Sequence, residues 1–174
     1  EVKVLHEDEQ QSHSTYNAWL AEVHVSTLAK AFKKIKFYTR ENVGIGEIDL
    51  PPEEYDTEAC VLALDESLVE EIGLRQGAAA RSLRGVGELL RALVPLFVRV
   101  DPGDVRVQTE TRHPHFEAPT ITLFDRIPDG VGLAERIFRN HRDILKVALD
   151  RVVGCGCASG CPGCVGPAGA GPGG

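Results

Sequence analysis

The run Cys155-Gly156-Cys157-Ala158-Ser159-Gly160-Cys161-Pro162-Gly163-Cys164 places four thiols within ten residues, in the pattern C-x-C-x3-C-x2-C. Four thiolates that close can surround one tetrahedral ion, and a soft d10 ion such as zinc suits an all-sulfur shell. The intervening residues are small or glycine, so the backbone can fold tightly and turn its N–H groups toward the sulfurs. If the segment around Cys155 and Cys157 is extended, the two side chains point the same way, which suits two ligands of one metal. A disulfide between them is disfavoured, because the bridge demands a specific Cα separation and dihedral, and an oxidising compartment besides. An iron–sulfur cluster is the alternative occupant, since four-cysteine shells hold those too. With all four sulfurs engaged no position remains for a substrate, so the expected role is structural. Cys60, in Ala59-Cys60-Val61-Leu62, reads instead as a buried core thiol.

Upstream of this knot the hydrophobic pattern predicts an amphipathic helix. Leu133, Ile137, His141, Ile144, Ala148 and Val152 share one face, and Gly154 stands where a C′ glycine is expected. The thiolates then lie at the negative end of the helix dipole, which a bound cation offsets. A second helical stripe runs through Ala79, Leu83, Val86, Leu90, Leu93 and Phe97, with Pro95 tightening its end. Gly85 and Gly87 weaken it by up to ~1 kcal/mol each unless close packing needs them. A short helix fits Ser67 to Ile72.

The first 64 residues read as antiparallel sheet. Residues 1–7 alternate as a strand, and 8–17 are polar and read as a loop. From Trp19 to Tyr38 the period is two, with a bend near Leu28–Ala31, which predicts strands with one buried face. Glu41-Asn42-Val43-Gly44 signals a turn, Ile45 to Leu50 returns antiparallel, and another strand fits Glu58 to Leu64. Val105 to Thr111 and Thr120 to Phe124 add two strands. The loop from Asp125 to Gly132 then crosses into the last helix. It lacks the Gly-Lys-Ser/Thr ending of a phosphate-binding loop and carries Asp125 and Asp129, so a structural turn is expected. Asp125 and Glu135 form the one carboxylate pair that an acid–base enzyme could use, although carboxylates at a helix start more often serve the dipole. The histidines, including His113 and His115, show no ligand spacing and read as scattered surface residues.

The chain has 174 residues, enough for one domain of about 165 residues, 1–165, and a Gly/Pro-rich tail, 166–174, expected to be disordered. It contains no Met, which reads as a piece of a longer protein. No apolar run approaches a membrane span and no signal peptide opens the chain, so the expected compartment is the cytoplasm. The net charge of −7 argues against a free-standing, non-specific nucleic-acid binder. Local contact is still open to the basic stretch Lys30, Lys33, Lys34, Lys36 and Arg40, although no aromatic platform is evident beside it.

Several of these runs resemble the MrfA-type zinc-binding domain. They are Pro119-Thr120-Ile121-Thr122-Leu123-Phe124-Asp125, Ile127-Pro128-Asp129-Gly130-Val131-Gly132-Leu133-Ala134-Glu135, the cysteine block, Gly46-Glu47-Ile48-Asp49-Leu50-Pro51-Pro52 with Thr57-Glu58-Ala59, and Leu93–Pro102. Asp129 departs from it, standing where Gly is expected. The resemblance implies the C-terminal domain of superfamily 2 DEAD/DEAH-box DNA helicases linked to DNA repair, with metal ligands Cys155, Cys157, Cys161 and Cys164. Its partners would be the motor domains of the same polypeptide and DNA. The alternative is an interaction module of a phage-defence complex. No P-loop lysine or Asp-Glu box is present, so any ATPase would lie outside this chain. The expected fold is α+β: an antiparallel sheet on two long helices, closed by a C-terminal four-cysteine zinc knot.

Overall fold

A computed structural model describes residues 1–72, 76–158 and 160–165; the tail expected to be disordered lies outside the described residues. Five strands form one antiparallel sheet: β1 (Val2–Ser12), β2 (Tyr16–Thr27), β5 (Glu53–Leu64), β6 (Val105–Glu110) and β7 (Thr120–Asp125), in the order β1-β2-β5-β7-β6. A separate two-stranded hairpin joins β3 (Ala31–Ile35) to β4 (Asn42–Glu47). The helices are α1 (Glu66–Glu71), α2 (Gln76–Phe97), α3 (Leu133–Val153) and the one-turn α4 (Pro162–Val165).

The centre of the sheet is set by Ala59-Cys60-Val61-Leu62-Ala63, every one of them buried. A continuous apolar run belongs to a strand covered on both faces. Cys60 and Leu62 turn toward α2 and α3 and join Leu83, Leu90, Val94, Ile137, Phe138 and Ile144. Ala59, Val61 and Ala63 turn the other way, onto Trp19, Ala21, Val23 and Phe124, with Phe116 packed over Trp19. The expectation of a single buried face therefore fails at the middle of β2. There the positions between Trp19, Ala21 and their neighbours hold Ala18 and Leu20, which are buried on the helix side.

Residues 8–12, expected in a loop, continue β1 as far as Ser12. β1 is an edge strand with register shifts at Val4/His6 and Glu7/Glu9. Its polar end is held by ladder hydrogen bonds while its side chains face water, so hydrophobic alternation has nothing to register. The predicted turn at 41–44 also moves. The chain reverses at 36–41, and Gly44 lies inside β4 opposite Lys34.

In α2 the buried stripe drifts from the expected one: Val86 is exposed, whereas Leu89 and Val94 are buried. The helix approaches the sheet at Gly87, where an added Cβ would lie 2.8 Å from Thr109 and 3.1 Å from Val107 of β6. The close approach that justifies a mid-helix glycine is present, and a hydrophobic pattern cannot register a residue without a side chain. α3 buries Leu133, Ile137, His141, Ile144 and Ala148 as expected and adds Ala134 and Phe138, but Val152, in its last turn, is exposed. Gly154 caps the helix in right-handed geometry, φ −77°, rather than as the left-handed C′ residue expected.

A four-thiol cluster at the end of the last helix

α3 delivers the chain to Cys155 with its last turn closed by the Gly154 N–H donating to the Asp150 carbonyl at 2.9 Å. The Cys155 N–H donates to the Val152 carbonyl at 3.2 Å. Gly160, at φ +92°, then reverses the chain, a conformation that only glycine adopts readily. α4 follows, and its turn brings Cys161 and Cys164 to the same side as Cys155 and Cys157. The four Sγ atoms all lie within 4.8 Å of one another. The separations are 3.4 Å for Cys155–Cys157 and Cys157–Cys164, and 3.7 Å for Cys155–Cys161 and Cys161–Cys164. A zinc–sulfur bond of about 2.3 Å in tetrahedral geometry requires sulfurs about 3.8 Å apart. The donor set therefore has the size and the chemistry of a mononuclear tetrahedral site. None of the five cysteines is joined in a disulfide.

The electrostatics of the cluster ask for a cation. The Cys161 N–H donates to Cys164 Sγ at 3.3 Å. The backbone N–H of Gly163, followed by the neighbouring sulfurs, pulls the Cys161 thiol down to about 7. Hydrogen bonds with Cys155 and Cys164 hold the Cys157 thiol up to about 12. Four sulfurs in contact cannot all shed their protons against one another's charge, and a divalent ion removes that obstacle.

Two contacts tie the cluster into the domain. Arg151 Nε, in the last turn of α3, donates to the Gly163 carbonyl at 3.0 Å. Val165, at the end of α4, lies against Gly85 of α2, where an added Cβ would stand 3.3 Å away. The knot thus fastens α3 to α2 as well as closing itself.

The loop before α3 is organised by Asp125. Its carboxylate is fully buried and accepts from the Thr57 hydroxyl at 2.8 Å, the Ile127 N–H at 3.0 Å and the Val131 N–H at 3.1 Å. Glu135 is exposed and pairs with Arg139. The carboxylate pair considered for acid–base work is thus a buried turn organiser and a surface ion pair, as the structural reading of the turn expects. Asp129 sits at φ +62°, which accounts for the glycine expected there. Cys60 is fully buried, which pushes its thiol up to about 12.

The histidines are not all at the surface. His113 and His141 are buried, and His141 Nε2 lies 3.1 Å from His13 Nε2. The basic residues Lys30, Lys33, Lys34, Lys36 and Arg40 gather on and beside the β3–β4 hairpin, all exposed. Two aromatic side chains stand beside them: Phe37 and Tyr38, at the turn, are 89% and 93% exposed. The signal was two adjacent aromatics inside a charged run, which period-two reading assigned to a strand face. No helix among the described residues is long and apolar enough to cross a membrane.

Comparison with known proteins bears on both regions. Residues 86–165 match the family model of the MrfA Zn-binding domain. The chain is 37% identical over 166 residues to the uncharacterized ATP-dependent helicase YprA of Bacillus subtilis, covering 95% of this chain and 22% of YprA. It is 22% identical over 162 residues to the ATP-dependent helicase hrq1 of Schizosaccharomyces pombe, covering 86% of this chain and 15% of hrq1. The crystal structure of DUF1998 helicase MrfA bound to DNA superimposes with a TM-score of 0.76 at 35% identity, over 97% of this chain and 22% of that one. The chain thus spans about a fifth of the length of YprA and MrfA.

Proposed function

We propose that this chain, which carries an MrfA-type zinc-binding domain, is a non-catalytic accessory part of an ATP-dependent DNA helicase that acts in DNA repair. Residues 1–165 act as one unit. Cys155, Cys157, Cys161 and Cys164 hold a single structural Zn2+, and the motor domains lie elsewhere on the same polypeptide. The observation that carries the reading is the four-sulfur cluster, with neighbouring sulfurs 3.4–3.7 Å apart at the junction of α3, α4 and α2. A multi-iron cluster would spread its cysteines around a larger core, whereas one ion needs them in near contact. Once the four sulfurs are engaged the tetrahedron is complete, so the ion contributes folding energy rather than catalysis. A site of four zinc-bound thiolates suits the reducing cytoplasm. The exposed cations Lys30, Lys33, Lys34, Lys36 and Arg40 supply phosphate contacts to DNA.

Elemental analysis of the purified chain tests the metal. One zinc per chain is expected, and Cys161→Ala should lose it together with thermal stability. Equal metal content in the two proteins, or iron with acid-labile sulfide in the wild type, overturns this assignment.

A further inference from the structure

The β3–β4 hairpin stands apart from the five-stranded sheet, and it gathers the most exposed apolar group among the described residues. Its turn is built by the Lys36 N–H donating to the Glu41 carbonyl at 3.0 Å and the Arg40 N–H donating to the Lys36 carbonyl at 2.9 Å. Arg40 takes the left-handed conformation, φ 54°. This closed turn projects Phe37 and Tyr38 into solvent, with ring centroids 5.3 Å apart and planes perpendicular. A third ring, Phe32, lies across Gly46 on the opposite strand, where an added Cβ would come within 2.5 Å of the ring; the Lys34 ammonium stands 5.8 Å from its centroid. Within residues 30–47 five cations face two carboxylates, Glu41 and Glu47, although the chain as a whole carries −7. One of those carboxylates, Glu41, is paired with Lys36 at 3.2 Å.

Exposed rings cost free energy unless they meet a partner, and a partner must also accept the cations around them. Protein interfaces are depleted in lysine at their centres. A single strand of nucleic acid satisfies both demands: unpaired bases stack on aromatic rings, while lysine and arginine follow the phosphates. A duplex hides its base faces and offers only the second contact. We propose that the β3–β4 hairpin is a stacking platform for unpaired DNA bases, with Phe37 and Tyr38 as the base contacts and Lys33, Lys34, Lys36 and Arg40 as the phosphate contacts. This rests on the reading of the chain as part of a DNA helicase, and adds to it a strand preference and two residues outside the basic set.

The test is binding of the zinc-loaded chain to single-stranded DNA carrying 2-aminopurine, followed by fluorescence and anisotropy at two salt concentrations. Wild type should quench the 2-aminopurine and bind the single strand at least about fivefold tighter than a duplex of the same length. Phe37→Ala and Tyr38→Ala should each weaken single-strand binding about fivefold or more and abolish quenching, while the salt slope stays the same. Tyr38→Phe, which keeps the ring, should retain both. Lys33→Gln with Lys34→Gln should instead reduce the salt slope. Both aromatics are exposed, so the variants should fold, which zinc content and far-ultraviolet circular dichroism check. No binding at low salt, equal binding to duplex, or binding indifferent to Phe37 and Tyr38 would overturn the proposal. So would a hairpin that binds a helicase motor polypeptide through Phe37 but not DNA. Each of these results with normal zinc content would leave the structural metal assignment standing, and loss of zinc in the wild type would strike that assignment instead.

Discussion

Asp125 shows how much one residue can determine. It has no exposure, and its two oxygens gather a hydroxyl from β5 and two backbone donors of the loop that starts α3. A carboxylate offers only acceptors, and every one of its partners donates. Asp125→Asn keeps the shape but turns an N–H toward a donor. It should therefore destabilise the fold by on the order of 2–3 kcal/mol, the cost of losing charge-assisted hydrogen bonds and stranding a buried donor. Urea unfolding of the two proteins measures this, and an unchanged midpoint would remove Asp125 as the organiser of the loop. The residue types in this loop are plain in the sequence: acidic, glycine-rich, between a strand and a helix. Its partner Thr57 is 68 residues away in the chain, and only the sheet brings it to Asp125.

At the scale of elements, the end of α3 and the knot depend on each other. A helix terminates in unpaired carbonyls and a partial negative charge, an unfavourable place to gather thiolates. A cation bound by the four sulfurs would offset that charge, and α4 lays Val165 against Gly85 of α2. Removing the metal should fray the last turn of α3 and release α4, while leaving the sheet intact. Hydrogen exchange with and without a chelator should show faster exchange at residues 149–153 and at Cys164 and Val165, and unchanged protection at Ala59–Ala63. Uniform loss of protection across the chain would show instead that the metal supports the whole core. The two long helices were legible from their 3.6-residue stripes, and β1 and β2 from their alternation. The polar end of β1 and the glycine-centred face of α2 were not. In the first, backbone pairing supplies the order; in the second, the contact is made by the absence of a side chain.

Across the whole molecule, burial of polar groups couples stability to pH. Burial holds His141 below the ordinary histidine value, with the neighbouring His13 and Arg142 adding to the effect. His113 is likewise lowered, first by burial. A histidine lowered in the folded state binds its proton more readily when unfolded, so stability rises with pH and is lost as pH falls below about 6.5. Thermal midpoints measured from about pH 7.5 down to about 5.5 should decline, and His141→Gln should flatten part of the decline while zinc content is followed in parallel. An equal slope in the variant would assign the acid sensitivity to the metal site alone. The amino-acid sequence by itself determined the cysteine spacing, the periodicities that separate strand from helix, and the resemblance to a metal-binding family. All three are local properties, set within a few residues of chain. The tertiary structure decided which histidines are buried, that Asp125 serves a turn, and that the sheet is covered on two sides. It also decided that Phe37 and Tyr38 stand in water among cations. Burial and juxtaposition depend on residues far apart in the chain, and no local pattern records which of them will meet.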